Sequence, residues 1–121
     1  MANTGIPLTI VIDIDGTLLE YDHYEPFVYG QPKPGAIEFL RAQKAAGHKI
    51  ILHTARSREE QFALINHLAA VGIAELTDGF QADKPIGHVY IDDRAVRFAG
   101  DWAHCAAEVD RVTAGGIEEI R

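Results

Sequence analysis

The sequence predicts an α/β fold, a small doubly wound, Rossmann-like parallel sheet with helices on both faces. Three observations predict it. Short β-branched apolar runs alternate with segments of helical periodicity, in the order strand, helix, strand, helix, strand, helix. The first run, Leu8-Thr9-Ile10-Val11-Ile12-Asp13, is apolar on both faces, as a buried parallel strand is. The residues just past each run are polar, and ligands of such sheets sit beyond the C-terminal strand ends.

The elements follow in order. After the first strand, Glu20 to Pro34 is irregular. It holds three of the five prolines (Pro26, Pro32, Pro34) and three of the four tyrosines (Tyr21, Tyr24, Tyr29), which reads as a structured loop. Ala36 to Ala46 has helical spacing, with Ile37 and Leu40 on one face and Gly47 as its stop. His48 to His53 is the second strand. Ser57 opens a second helix, and Ser57-Arg58-Glu59-Glu60 has capping-box spacing. Its apolar stripe is Leu64, Ile65 and Leu68, closed by Gly72. A weakly patterned segment runs to Lys84-Pro85. Val89-Tyr90-Ile91 is the third strand. Asp101 caps a last helix with Trp102, Cys105, Ala106 and Val109 on one face, which places Trp102 in the core and makes Cys105 an inert buried thiol.

Composition bounds the function. The 121 residues suit one domain spanning 1–121, and 47% apolar with 24% charged residues is ordinary for a globular chain. Eleven Lys and Arg against 18 Asp and Glu give a net charge of −7. That balance counts against a nucleic-acid partner and suits a divalent cation. The single cysteine rules out an intrachain disulfide and fits a reducing compartment. The apolar stretches are too short for a bilayer, and Met1 to Pro7 lacks a signal-peptide pattern, so a cytoplasmic protein without a membrane partner is expected.

Three sets of residues follow the strands: Asp13 to Thr17, Thr54 to Arg56, and Asp92 to Arg94. A carboxylate at the end of a buried strand is costly unless it is paired or binds a metal. Here Asp13, Asp15, Asp92 and Asp93 converge on one edge, either as strand-end caps or as ligands of a hard cation, for which Mg2+ fits best. Gly16 permits a sharp turn after the strand. Gly16, Thr17, Ala55 and Arg56 line the mouth of this edge as candidate substrate contacts. Arg56 is placed to bind a second anionic group of the substrate, or to pair with a site aspartate or with Glu60. Arg94 is placed to pair with Asp92 or Asp93. Alternation turns His53 away from the side of Thr54, as a packed histidine. Tyr21, Tyr24, Phe27 and Tyr29 either line the entrance or fill the loop.

Asp13-Ile14-Asp15-Gly16-Thr17-Leu18 resembles the first motif, DxDGTL, of the haloacid dehalogenase-like superfamily. Ile51-Leu52-His53-Thr54 is similar to its second motif, Lys84 to its third, and Val89-Tyr90-Ile91-Asp92-Asp93 to its acidic fourth. The resemblance spans residues 8 to 93 with the motifs in family order. It implies a phosphatase with catalytic Asp13, Asp15, Thr54 and Lys84. Asp13 would be the nucleophile, and Asp15 the acid and then the base. Thr54 and Lys84 would hold the phosphoryl group. The Mg2+ ligands would be the Asp13 carboxylate, the Asp15 carbonyl and an acid of the fourth motif, with Asp93 favoured and Asp92 its partner.

Cap domains of this superfamily lie after the first motif or between the second and third. Only 35 residues (19 to 53) and 29 residues (55 to 83) are available here, so a capless core is expected. Its cover would be the Glu20–Pro34 loop or another subunit, as in a homo-oligomer. The resemblance is closest to capless phosphatases of small phosphate esters such as sugar phosphates. Ile91-Asp92-Asp93-Arg94 also resembles polynucleotide 3′-phosphatases, a reading the charge disfavours. A non-catalytic phosphate- or metal-binding module on the same fold is the third reading.

Overall fold

The computed structural model describes residues 7–81 and 85–114. Along the chain these form β1 (Thr9–Asp13), α1 (Ala36–Ala45), β2 (Lys49–His53), α2 (Gln61–Ala70), β3 (Gly79–Gln81), β4 (Val89–Ile91) and α3 (Trp102–Ala114). The strands pair in parallel in the order β3-β2-β1-β4. The α/β parallel sheet expected from the sequence is therefore present. β1 is flanked on both sides, with Asp13 opposite His53 of β2 and Ile12 opposite Ile91 of β4. This register brings the C-terminal ends of all three strands to one edge. Among the described residues nothing resembling a cap domain interrupts the elements between them.

Alternation along the strands builds the core. Ile10 and Ile12 of β1 and Ile50 and Leu52 of β2 share a face, where they join Leu40 of α1 and Leu64 and Leu68 of α2. All are essentially buried. At roughly 1.5–3 kcal/mol for each fully buried Leu or Ile side chain, this layer is the main favourable term fixing the sheet. Val11 and Ile51, on the opposite face, are also buried. There the Tyr90 hydroxyl donates to the carbonyl of the buried Pro85 at 2.6 Å and accepts from Gly87 N–H at 2.9 Å. The segment entering β4 thus lies along this face, while α1 and α2 pack their buried residues on the first one.

Several local expectations are corrected. β3 falls inside the segment that carried no clear pattern; three residues are too few to show alternation, and pairing with β2 defines the strand. The capping box is not formed. Ser57 makes no side-chain cap, a 3-10 turn (Arg58–Glu60) precedes α2, and Glu60 points inward instead. Ile65 is exposed, so the buried stripe of α2 is Leu64 and Leu68. Trp102 is not core: it is 74% exposed and contacts the ring of Phe98. Val109 is exposed as well, and Cys105 is only half-buried. Asp101 does cap α3, accepting from Ala103 N–H at 2.9 Å.

Candidate active site

β1 ends in Asp13, and the chain turns at once. The carbonyl of Ile14 accepts from the N–H groups of Leu18 and Leu19 at 3.0 Å each, and Gly16 N–H returns to Leu19 at 2.9 Å. Gly16 has φ +85°, and a Cβ there would come 2.5 Å from Asp93 Oδ2. Only glycine therefore satisfies both the turn and the approach of the β4 acid. Carboxylate oxygens of Asp13, Asp92 and Asp93 all lie within 4.8 Å of one another. The Thr17 hydroxyl sits between two of them, 3.2 Å from Asp13 Oδ2 and 3.3 Å from Asp93 Oδ1. Burial, the charge of Asp92 and the adjacent Asp93 push Asp13 up to about 7. Three hard oxygen donors that repel one another in this way are a donor set suited to Mg2+.

A second constellation lies beside the first. Arg56 is only 3% exposed and its five N–H groups are all engaged. Nε donates to Asp15 Oδ2 at 2.8 Å and one Nη2 proton to Asp15 Oδ1 at 3.2 Å. The other Nη2 proton goes to the Val28 carbonyl at 2.8 Å. Nη1 donates to the Glu25 carbonyl at 3.2 Å and to Glu60 Oε2 at 2.6 Å. Glu60, 1% exposed, also accepts from the Tyr24 hydroxyl at 2.6 Å and Phe27 N–H at 2.9 Å. Burial alone would raise its pKa, but Tyr24, Phe27 and Arg56 outweigh burial and hold it low. The same pairing raises Arg56 despite its own burial.

The segment 20–31 therefore forms a strap beside Asp15. Its base is closed by Glu20 N–H donating to the Gln31 carbonyl at 2.8 Å and by pairing of Leu19 with Pro32. Gly30 passes so close that a Cβ would lie 1.9 Å from the Glu20 carbonyl oxygen. The far side is held by His67 of α2, whose Nε2 lies 2.8 Å from the Gly30 carbonyl. Between strap and Asp15 is a cavity of about 400 Å³, lined by Tyr21, Asp22, Glu25, Tyr29 and Arg56 among others. A smaller cleft of about 170 Å³ adjoins it at Asp15 and Tyr21 and reaches Asp13, Asp92, His53 and Ala55.

The structure thus gathers Asp13, Asp15, Gly16, Thr17, Ala55, Asp92 and Asp93 at one edge. Thr54 is buried next to them, its Oγ1 accepting from the backbone N–H of Arg56 at 3.0 Å. Lys84 lies outside the described residues. Arg56 is corrected: saturated and buried, it has no donor left for a substrate anion, and it makes the two pairings the sequence offered as alternatives. Arg94 is corrected too. Its backbone N–H donates to Asp92 Oδ1 at 2.7 Å, but its guanidinium lies over the Tyr21 ring at 5.7 Å, with no ion pair among the described residues. His53, expected to turn from the side of Thr54 as a packed histidine, borders the cleft, while Thr54 is not among the cleft's lining residues. The signal was available: in parallel pairing the last residues of β1 and β2 face each other, so His53 shares the side of Asp13.

The sequence matches over residues 10–97 a family described as haloacid dehalogenase-like hydrolase. Among solved structures, a conserved protein from Bacteroides thetaiotaomicron superposes with a TM-score of 0.62 at 24% identity, covering 88% of this chain and 92% of that one. At that identity the likeness is one of fold. No curated protein matches the chain.

Proposed function

This chain belongs to the haloacid dehalogenase-like hydrolase family, and we propose that it is a Mg2+-dependent phosphatase that hydrolyses a small phosphate monoester through an aspartyl-phosphate on Asp13. The observation that carries the reading is the convergence of Asp13, Asp92 and Asp93, with Asp15 two residues beyond the nucleophile and opening onto two joined cavities. When bound, Mg2+ held by Asp13 with Asp93 or Asp92 supplies positive charge beside the phosphoryl group and keeps Asp13 ionised.

The chemistry then divides between two carboxylates. An Asp13 oxygen attacks phosphorus in line, the ester P–O bond breaks, and the departing oxygen takes a proton from Asp15. Asp15, now a carboxylate, takes a proton from water as that water attacks the phosphorus. Phosphate leaves and Asp13 is regenerated. Thr54, whose oxygen accepts from the backbone N–H of Arg56, has its own proton to donate to the phosphoryl group. Lys84 is assigned to the same task by its place in the motif order. Arg94 and Tyr21 border the cleft where the ester would lie. The leaving group faces the strap, whose acids Glu20, Asp22 and Glu25 favour a sugar phosphate or similar small ester over a polyanion.

The test is phosphate release from sugar phosphates, nucleotides and 3′-phosphorylated oligonucleotides, with Mg2+, with EDTA, and with Asp13→Asn as the blank. Metal-dependent release from a small ester, lost in the variant, is expected. Release that survives EDTA or Asp13→Asn overturns the mechanism.

A further inference from the structure

Arg56 is the residue whose contacts extend furthest beyond the proposed chemistry. Its partners come from three separate places in the chain. Asp15 lies in the turn after β1, the Glu25 and Val28 carbonyls lie in the strap, and Glu60 stands at the foot of α2. The rings of Tyr24 and Tyr29 flank its guanidinium at 5.3 and 4.5 Å. Glu60 repeats the pattern from the other side, holding Tyr24 and Phe27 of the strap. Phe27 has φ +61°, a conformation a bulky residue rarely adopts, and its N–H is the one Glu60 holds.

We propose that Arg56 is a positioning residue that fixes Asp15 for proton transfer and, with Glu60, fastens the 24–29 strap to it, so that acid–base competence and the position of the strap are one mechanical unit. This rests on the phosphatase reading above. The two bonds from Arg56 use one lone pair on each Asp15 oxygen and leave the other for the proton in transit. The guanidinium fork sets the plane of the carboxylate as a single-point donor cannot. Lysine has the charge but three donors on one atom, too few in number and geometry for five acceptor atoms on four residues. With no cap domain among the described residues, this fastening gives the strap a fixed place over the acid.

The test separates a mispositioned acid from a merely loosened fold. The probes are phenyl, 4-nitrophenyl and 2,4-dinitrophenyl phosphate with Mg2+, compared by kcat/KM, which reports the step in which the leaving group departs. Phenolate needs the proton from Asp15; dinitrophenolate does not. Arg56→Lys is expected to lower kcat/KM for phenyl phosphate about 100-fold, and for the dinitrophenyl ester about tenfold less than that. In an Asp15→Asn background the same substitution should leave the dependence on the leaving group unchanged. Tyr24→Phe removes one hydroxyl from the fastening and provides the readout if Arg56→Lys does not fold. It should shift the series in the same direction by a smaller factor. Equal losses across the three esters, or no loss, overturn the proposal. A wild type inert toward all three with Mg2+ overturns the phosphatase reading itself, a failure distinct from equal losses in the variants.

Discussion

At the scale of single residues, Asp13 is where burial and function meet. Its raised pKa records the cost of holding a carboxylate beside two others in a partly buried corner. Asp13→Asn should lower turnover by about 10⁴-fold or more if Asp13 is the nucleophile. It should not unfold the protein. Without metal, near pH 8, the variant should melt at or above the wild type, because the repulsion is gone; a lower melting temperature would contradict that account. The pH dependence follows from the same group. The fold raises Asp13 from 3.8 to about 7, so the folded chain holds the proton more tightly than the unfolded one. The contribution of Asp13 to the metal-free fold is therefore most favourable below pH 3.8 and is lost as pH rises through about 7. Mg2+ replaces the proton, so its stabilising effect grows over the same interval. The rise in melting temperature on adding Mg2+ should be larger at about pH 8 than at about pH 5.5. An equal rise at both would remove Asp13 from the ligand set.

At the scale of elements, the strap and the foot of α2 depend on the buried Arg56–Glu60 pair. Glu60→Gln leaves Arg56 its Asp15 partner but weakens the charge-assisted bonds to Arg56, Tyr24 and Phe27, and should cost about 2 kcal/mol in urea unfolding near neutral pH. Because the fold lowers the Glu60 pKa from 4.5, its contribution is fully present above that value and is lost as pH falls through the lowered one. The variant should therefore lose less stability than the wild type on acidification below about pH 4.5. This element also shows what a sequence makes legible. β1, β2, α1 and α2 carry periodic apolar runs long enough to declare themselves, and the short β4 is apolar at all three positions where β3 is Gly79-Phe80-Gln81; the acids at the strand ends could be placed from the strands alone. The capping spacing at Ser57 was real, but Arg56 and the strap recruit Glu60 from far along the chain, which no local pattern reveals. Trp102 has helical spacing, yet spacing reports a face and not whether anything covers it. Thr54, next to His53, was legible as a strand-end hydroxyl, whereas the use of every Arg56 donor became visible only when the strap was in place.

At the scale of the whole molecule, charge separates the small-ester reading from the nucleic-acid one. The net charge is −7, and the walls nearest Asp15 add Glu20, Asp22 and Glu25. A protein that grips a phosphate backbone releases counterions, and its affinity falls steeply as salt rises. This chain should do the reverse. A 3′-phosphorylated oligonucleotide approaching the acidic strap is repelled over about a Debye length, near 20 Å at about 20 mM salt and about 7 Å at about 200 mM. Its kcat/KM should start low and rise severalfold across that range as the repulsion is screened. A sugar phosphate, carrying only the phosphoryl charge that the site exists to receive, should change far less. The comparison requires one substrate pair and one salt titration at fixed Mg2+. A fall in oligonucleotide kcat/KM with salt would mean that backbone phosphates meet a basic track, and the strap would then have to leave Asp15 to admit it.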